Sequence, residues 1–321
     1  MAPPILFVTW RRMQATKTVL DAIRKAKPEI LYVASDGPRQ GDEQQSAQVS
    51  ATRQLIESGI DWPCSAQFRY SESNQGCKGG VSSAISWFFE NVEEGIILED
   101  DCLPHPTFFT YCEDLLKRYR NDHRVWCISG NNFQGGNWRG EGSYYFSRQT
   151  LIWGWATWRR CWLHYDKELN RWDDLKKSGH LEAIYPDRVE REYRISKWDC
   201  MRGPNPIDTW DYQWHFTCVS NGGLTAIPNR NLVTNIGFDG LGVHCSGTTP
   251  DPGLGDGIES MEHPLFVLPD PLADRYMFDN LFGGESLRNN KLLRVRILNR
   301  TRGWLYRIAN LIRGNADRLN N

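Results

Sequence analysis

Three adjacent carboxylates, Glu99, Asp100 and Asp101, directly follow the apolar run 96–98, and Pro104 closes the segment soon afterwards. A short apolar run bounded by turn residues is typical of a buried strand in an α/β sheet. Ligands of such sheets bind beyond the carboxyl ends of the strands. Three acids at one strand end repel one another unless a cation offsets their charge. The sequence therefore predicts a divalent cation held by oxygen ligands, with a solvated acidic turn as the alternative.

A glycine-rich segment, residues 76–80, precedes a predicted helix over residues 81–91. Backbone N–H groups at such a helix start can hold phosphate, and Lys78 would supply a countercharge. The segment does not match Gly-x-x-x-x-Gly-Lys-Ser/Thr, which argues against a P-loop nucleotidase. A plain turn is the alternative reading of this segment. Combined with the acidic turn, it indicates a nucleotide diphosphate held by a metal ion and backbone amides.

The elements that must position these residues alternate between strands and helices. This alternation predicts an α/β fold with a mostly parallel, doubly wound sheet flanked by helices. Arg12 and Asp36 follow the first two predicted strands, so both should lie at the same sheet edge as the acidic turn. The predicted strands cover 4–8, 30–34, 68–70, 95–98 and 125–130, with a strand pair over 225–235. The predicted helices cover 44–58, 81–91 and 107–121. An aromatic segment from 153 runs into a further helix through Trp162, and another helix starts at 209.

Charge is distributed unevenly along the 321 residues, although the formal net charge is only −1. Residues 286–321 contain nine Lys or Arg and one acid, which gives +8, so the rest of the chain carries −9. A near-neutral total argues against a nucleic-acid partner. Apolar residues in the tail fall at helical spacing between arginines, as in a helix that lies on an anionic membrane surface. Packing of this helix on the acidic remainder of the chain is the alternative.

Cysteine usage and hydropathy bear on the compartment. The nine cysteines form no Cys-x-x-Cys pair, which is typical of reduced thiols in a cytosolic protein. The apolar run near the start is too short for a signal peptide, and no stretch is long enough to span a bilayer. We therefore expect a cytoplasmic protein whose basic tail contacts the inner face of the cytoplasmic membrane.

Five ordered segments resemble a known family, the GT-A fold glycosyltransferases that use nucleotide-diphosphate sugars. The closest likeness is to the N-acetylglucosaminyltransferase I type and its bacterial relatives, and it extends over about residues 4–247. The resemblance implies a Rossmann-like GT-A fold and a sugar-transfer activity. The segments that carry it are Ile-Leu-Glu-Asp-Asp at 97–101 with Pro-His-Pro-Thr-Phe-Phe at 104–109, Trp-Cys-Ile-Ser at 126–129, Trp-Gly-Trp at 153–155, Trp-Asp-Tyr-Gln-Trp at 210–214, and Gly-Val-His at 242–244.

The resemblance implies roles for the residues that would bind the sugar donor. Asp101 would ligate Mn²⁺ or Mg²⁺ at the donor diphosphate. Glu99 and Asp100 would contact the ribose or the donor sugar. Asp36 would hold the base, and Arg12 would hold the phosphates or the base. A UDP-sugar is the favoured donor.

It also implies roles in catalysis and acceptor binding. Asp211 would deprotonate the acceptor hydroxyl, and Tyr212 stands where relatives often have a second acid, which leaves Asp211 as the sole candidate base of the motif. A favourable helix N-terminal acid is the alternative for Asp211. His244 would contact the metal or the diphosphate, with a plain loop histidine as the alternative. Three tryptophans would stack on sugar faces or pack in the core: Trp153, Trp155 and Trp158. Trp210 is a further candidate contact to the acceptor or donor sugar.

These features predict a metal-dependent, inverting hexosyl- or N-acetylhexosaminyltransferase whose acceptor is a hydroxyl of a glycan or a lipid-linked molecule. Residues 1–130 would form the donor-binding half, 131–250 the acceptor-binding and catalytic half, 251–285 a loop-rich connection and 286–321 the basic tail. The alternatives are a non-catalytic nucleotide- or glycan-binding module, a sugar nucleotidyltransferase, and a glycoside hydrolase that uses two carboxylates.

Overall fold

The computed structural model describes residues 2–237 and 251–291 of the chain. Its centre is an eight-stranded sheet in the order β3-β2-β1-β4-β8-β6-β9-β7, and a second, two-stranded sheet pairs β10 with β5. The strands are β1 (Ile5–Thr9), β2 (Ile30–Ser35), β3 (Ser65–Tyr70), β4 (Glu94–Glu99), β5 (Cys102–Pro104), β6 (Val125–Ser129), β7 (Tyr144–Ser147), β8 (Trp155–Trp158), β9 (Leu224–Pro228) and β10 (Val233–Asn235).

The sheet has a parallel part and a mixed part. Strands β3, β2, β1 and β4 pair in parallel, as do β6 and β9. Strand β8 lies antiparallel between β4 and β6, and β7 lies antiparallel to β9 at the far edge. The predicted α/β class, a mostly parallel Rossmann-like sheet flanked by helices, is confirmed.

Ten helices are described around the sheet. In α1, Val19, Leu20 and Ile23 recur at helical spacing and are buried, so this helix covers the sheet with one apolar face. Asp42 begins α2 because its carboxylate accepts a hydrogen bond from the Gln45 N–H at 2.8 Å. The helices are α1 (Met13–Ala26), α2 (Glu43–Gly59), α3 (Gly76–Asn91), α4 (Thr107–Tyr119), α5 (Arg159–Trp162), α6 (Trp172–Lys177), α7 (His180–Ile184), α8 (Arg188–Met201), α9 (Asp211–Ser220) and α10 (Pro271–Leu281).

Two local predictions were wrong. Residues 155–158, in the aromatic segment expected to run into a helix, form a buried central strand, and the helix through Trp162 is only the four-residue α5. A short aromatic run does not distinguish a buried strand from a buried helix by periodicity, and here it pairs Trp155 with Ile97 of β4. Residues 76–80, expected as a loop, form the first turn of α3.

Other predictions fall on residues that the structure does not describe. His244 and nearly all of the apolar and basic tail lie outside the described residues. Within residues 2–237 and 251–291, no helix is both long and apolar enough to cross a membrane. All eight cysteines of these ranges are free thiols.

Helix α10 docks on the far edge of the sheet through a buried carboxylate. Asp274 accepts hydrogen bonds from the Ser147 hydroxyl and from the Arg148 N–H at 3.3 Å. Burial raises the pKa of Asp274 to about 6, from an ordinary value of 3.8, although these donors oppose the shift. The folded state therefore binds a proton more tightly than the unfolded state does.

We expect Asp274→Asn to remove a pH-dependent loss of stability. Between pH 4 and pH 6 the raised pKa makes the free energy of unfolding fall as pH rises, by about 3 kcal/mol in total. The variant should gain this amount relative to the parent over the same interval, as measured by urea unfolding at several pH values. Parallel pH profiles of the two proteins would contradict the assignment.

Candidate active site

A cleft of about 600 Å³ opens at the carboxyl ends of the parallel strands. Thr9, Asp36 and Glu99 bring the ends of β1, β2 and β4 to its wall, and Asp211 reaches it from the start of α9. This is the position at which open α/β sheets bind their ligands, and the volume is in the range of small-molecule sites. The topology thus brings together residues that are up to two hundred positions apart.

The acidic turn is paired with Arg12 in this structure. Asp100 and Asp101 are only 3% and 6% exposed. The Arg12 guanidinium donates to both, through Nη2 to Asp100 Oδ1 and through Nη1 to Asp101 Oδ2 at 2.8 Å. The Trp10 N–H also donates to Asp100 Oδ2 at 3.2 Å. One buried guanidinium therefore holds two neighbouring carboxylates together.

Glu99, the third acid of the turn, is the least compensated. Burial together with the charges of Asp101 and Asp100 raises the pKa of Glu99 to about 8. Burial also raises the pKa of Asp100, although the Arg12 guanidinium opposes that shift. Burial is the first cause of both shifts, and the neighbouring carboxylates add to them.

The cleft wall as a whole carries more acidic than basic groups. It carries six carboxyl groups and three guanidinium groups, which gives a formal charge of −3 when every group is ionised. The carboxylates belong to Asp36, Glu99, Asp100, Asp101, Asp208 and Asp211, and the guanidinium groups to Arg12, Arg39 and Arg69. Hard carboxylate oxygens in excess fit a divalent cation such as Mg²⁺ or Mn²⁺.

The geometry of the acids is nevertheless not that of an open metal site. Among the described residues, no group of three or more His, Cys, Asp or Glu side chains is arranged to hold a metal ion. Asp100 and Asp101 both face Arg12 instead. The donor set therefore suits a divalent cation in its chemistry, while Arg12 holds the oxygens that such a cation would need.

Asp36, predicted to hold the base, lies in the cleft wall and organises the loops around it. Its carboxylate accepts hydrogen bonds from the Gly37 N–H at 2.8 Å, the Gln75 N–H at 2.9 Å and the Asn74 side-chain amide at 2.9 Å. Burial raises the pKa of Asp36, and the backbone donors oppose that shift. These contacts join the loop after β2 to the start of α3.

The start of α3 holds a carboxylate of the protein itself. Asp208 accepts from the Cys77 N–H at 2.8 Å and from the Lys78 N–H at 2.9 Å. Gly76 has φ +74°, and a Cβ there would lie 2.5 Å from Asp208 Oδ2, so this approach requires glycine. The Lys78 ammonium pairs with Glu168 at 2.9 Å. The structure therefore does not bring Lys78 into the cleft, and Asp208 takes the amides that were predicted for phosphate.

Asp211 is the first residue of α9, where the helix dipole favours a carboxylate. Its Oδ1 accepts from the Thr209 hydroxyl and from the Tyr212 N–H at 2.9 Å. The charge of Asp211 contributes to the raised pKa of Glu99, which places the two acids within electrostatic reach. This helix was predicted to start at about residue 209, and α9 starts at Asp211, with Trp210 at the N-cap position and no side-chain cap.

The four tryptophans predicted to contact sugars differ in placement, and Trp158, which is buried in β8, packs in the core. Trp153 is half-buried and lines the cleft. Trp210 also lines it but is nearly buried. Trp155 is fully buried and stacks behind Trp210 with 5.5 Å between ring centroids, so it packs in the core and does not reach the cleft. Trp155 therefore has the structural role that was the alternative to a sugar contact.

Sequence reasoning missed several residues of the cleft wall. Asp208 was not predicted as a site residue, and Asn235 was predicted only as the end of a strand pair, yet both line the cleft. Arg39 and Arg69 add the other two positive charges. A polar residue at the end of a predicted strand was a usable signal for Asn235, whereas no local pattern marks Asp208.

Comparisons with known proteins leave the family open. No protein-family model matches the chain, and no curated protein matches it. Solved structures that share parts of the fold include a mannosyltransferase, PcManGT from Pyrobaculum calidifontis in complex with GDP-Man and Mn²⁺, at 12% identity over 68% of this chain and 70% of that chain, with a TM-score of 0.38. A UDP-glucose pyrophosphorylase complexed with UDP-glucose matches at 8% identity over 71% and 90%, with a TM-score of 0.37.

A third solved structure, TarS from S. aureus, matches at 11% identity over 73% of this chain and 36% of that chain, with a TM-score of 0.39. These identities and TM-scores are too low to assign the chain to a family or to transfer an activity to it. The likeness to the N-acetylglucosaminyltransferase I type stays a prediction from the sequence motifs.

Proposed function

We propose that this chain transfers a sugar from a nucleotide-diphosphate donor to a hydroxyl of a glycan or lipid-linked acceptor. The observation that carries the proposal is the gathering of Arg12, Asp36, the 99–101 acids and Asp211 around one cleft at the carboxyl ends of the parallel strands. Residues from separate segments of the sequence thus lie around a single volume in the range of small-molecule sites, which supports the proposal. A UDP-sugar is the favoured donor, with Mn²⁺ or Mg²⁺ as the cofactor.

The donor would lie along the edge formed by β1, β2 and β4. Asp36 lies at the end of β2 and is held by three donors, so it would present a fixed carboxylate edge to a base or ribose. Arg12 has the planar fork that suits a diphosphate. Glu99 ends β4 and would face the ribose or the donor sugar. Each assignment follows the position of the side chain in the cleft wall.

A divalent cation, when bound, would neutralise the leaving diphosphate as a Lewis acid. Asp101 would hold it, because this buried carboxylate belongs to a cleft with an excess of negative charge. His244 stays a predicted further ligand to the metal or contact to the diphosphate. The metal requirement and the choice between Mn²⁺ and Mg²⁺ are parts of the proposal.

Asp211 would act on the acceptor. Its carboxylate takes the proton of the acceptor hydroxyl as the hydroxyl oxygen forms a bond to the anomeric carbon. The bond from that carbon to the diphosphate oxygen breaks, and the nucleoside diphosphate leaves with its electron pair. Attack from the face opposite the diphosphate inverts the anomeric centre. Thr209 and the Tyr212 N–H fix the orientation of the carboxylate for this step.

Trp153 and Trp210 would contribute ring surface to the sugar or acceptor subsite, since both line the cleft. The basic tail over residues 286–321 would bring the enzyme to an anionic membrane that carries a lipid-linked acceptor. The division into a donor half over 1–130 and an acceptor half over 131–250, with a connection over 251–285, is part of the same proposal.

A donor panel tests the proposal directly. We expect one sugar nucleotide among UDP-, GDP-, dTDP- and CMP-sugars, with Mn²⁺, to raise the melting temperature of the full-length protein. Ligand at one hundred times its Kd stabilises by about 2.7 kcal/mol, which corresponds to roughly 5 °C for a chain of this size. Differential scanning fluorimetry measures the shift.

Asp36→Asn serves as the matched variant in this panel, because it removes the proposed base contact at one wall of the cleft. Its shift with the stabilising nucleotide should be much smaller than that of the parent. No stabilisation of the parent by any sugar nucleotide would overturn the proposal. Stabilisation with release of pyrophosphate from a nucleoside triphosphate and a sugar phosphate would instead identify a nucleotidyltransferase.

A further inference from the structure

The Arg12 guanidinium occupies the position at which a cation would bind the acidic turn. It lies between Asp100 and Asp101, contacts both carboxylates, and is only 16% exposed. The cleft retains a formal charge of −3 even with Arg12 counted, so a second cation would be attracted to it. The question is whether that cation can bind beside Arg12 or only in its place.

Backbone packing closes one side of this ion pair. A Cβ at Gly237 would lie 2.5 Å from Asp101 Oδ2 and 2.6 Å from Arg12 Nη1. The Ile236 N–H donates to the Asp101 carbonyl at 2.8 Å and holds the Gly237 backbone in this place. The other Asp101 oxygen, Oδ1, lies 3.5 Å from the Cys102 thiol. Arg12 and the Gly237 backbone therefore enclose Asp101 Oδ2, and a cation that binds this oxygen must take the place of the guanidinium.

We propose that Arg12 is an exchangeable internal counter-ion, and that a divalent cation binds Asp101 only by displacing the Arg12 guanidinium. The exchange replaces one positive charge with two in a cleft of excess negative charge. The released guanidinium stays in the cleft wall, because Arg12 lies just before α1, and it becomes available for an anionic ligand. Only this last step rests on the proposed function; the competition for Asp101 does not.

The exchange explains why the described acids are not arranged as a metal site. The two neighbouring buried carboxylates would repel each other if no cation lay between them, and Arg12 offsets that repulsion. The guanidinium thus keeps the turn folded until a divalent cation arrives. It also lowers the apparent affinity for that cation by the free energy needed to break two ion pairs.

A titration with Mn²⁺ alone tests the exchange, using the full-length chain and the electron paramagnetic resonance signal of free Mn²⁺. We expect Arg12→Gln to lower the Kd for Mn²⁺ at least tenfold relative to the parent. Arg11→Gln is the matched control, because Arg11 contacts the Trp10 ring and not the acidic turn, and its Kd should equal that of the parent. Adding Asp101→Asn to Arg12→Gln should abolish the gain.

A second variant guards against a folding defect of Arg12→Gln. Arg12→Lys keeps the charge but loses the fork that reaches two carboxylates, so its Kd for Mn²⁺ should fall between those of the parent and Arg12→Gln. Circular dichroism checks that each variant is folded. Folded variants that bind Mn²⁺ no more tightly than the parent would overturn the exchange.

These outcomes are independent of the donor panel, because the titration contains no nucleotide. A parent that binds no sugar nucleotide, together with tighter Mn²⁺ binding by Arg12→Gln, would leave the exchange standing without the proposed function. Donor binding by the parent, together with an Mn²⁺ affinity that Arg12→Gln leaves unchanged, would support the proposed function and overturn the exchange.

Discussion

Asp211→Asn is expected to lower kcat for sugar transfer by about 10²–10⁴-fold while leaving donor binding near that of the parent. The amide has the shape of the carboxylate, so the Thr209 hydroxyl can still donate to its oxygen, but it cannot take a proton from the acceptor. Asp211 lies at the start of α9 and not at the strand ends that would hold the donor. Steady-state kinetics with the donor from the panel measures the loss, and thermal shift measures donor binding.

Asp199→Asn is a suitable control for this experiment. Asp199 accepts from Lys176 and from the Trp172 indole and does not line the cleft, so its kcat should stay near that of the parent. A kcat of Asp211→Asn within a few-fold of the parent would remove Asp211 from the mechanism. If the parent binds the donor but shows no turnover, the chain is better described as a non-catalytic binding module.

Trp155→Ala is expected to lower the free energy of unfolding by about 3–5 kcal/mol. Trp155 is fully buried in β8 and packs on Trp210, with Trp214 also at 5.5 Å and Trp162 at 6.3 Å between centroids. Its indole N–H has no hydrogen-bond partner in the part of the chain that the structure describes, so the loss is one of packing. Urea unfolding followed by circular dichroism measures it.

Trp155→Phe keeps a ring at this position and should cost clearly less than Trp155→Ala. Because Trp210 stacks on Trp155 and directly precedes Asp211, the alanine variant should also lower kcat without a matching change in donor affinity. A stability loss below about 1 kcal/mol for the alanine variant would be inconsistent with a close-packed indole cluster.

The sequence predicts the residues of the cleft best where they directly follow a buried strand. The run 96–101 combines a buried strand with three acids, and Asp36 follows another buried strand, so the parallel rule for strand ends was enough to place both in one cleft. The α/β class followed from the same alternation of elements. These predictions needed only local patterns and one topological rule.

The remaining features depend on pairs of residues that are distant in the sequence. Arg12 and Asp100 are 88 positions apart, and Asp208 reaches the Cys77 amide across 131 positions. Composition and spacing do not encode which acid meets which donor, so the role of Lys78 as a phosphate countercharge could not be tested from the sequence. Trp155 shows a related limit, since an aromatic residue beside a glycine suits a sugar platform and a buried strand equally.

The position of β8 has a consequence for how the chain is synthesised. In the described sheet, β8 alone pairs with both β4 and β6 and so joins the parallel strands to the rest. When residue 99 has left the ribosome, the outer edge of β4 has no partner until residues 155–158 follow. At about 5–20 residues per second this interval lasts roughly 3–12 s. During that time an apolar strand edge is open to pairing with other nascent chains, so co-translational chaperones should matter more for this protein than its final stability suggests.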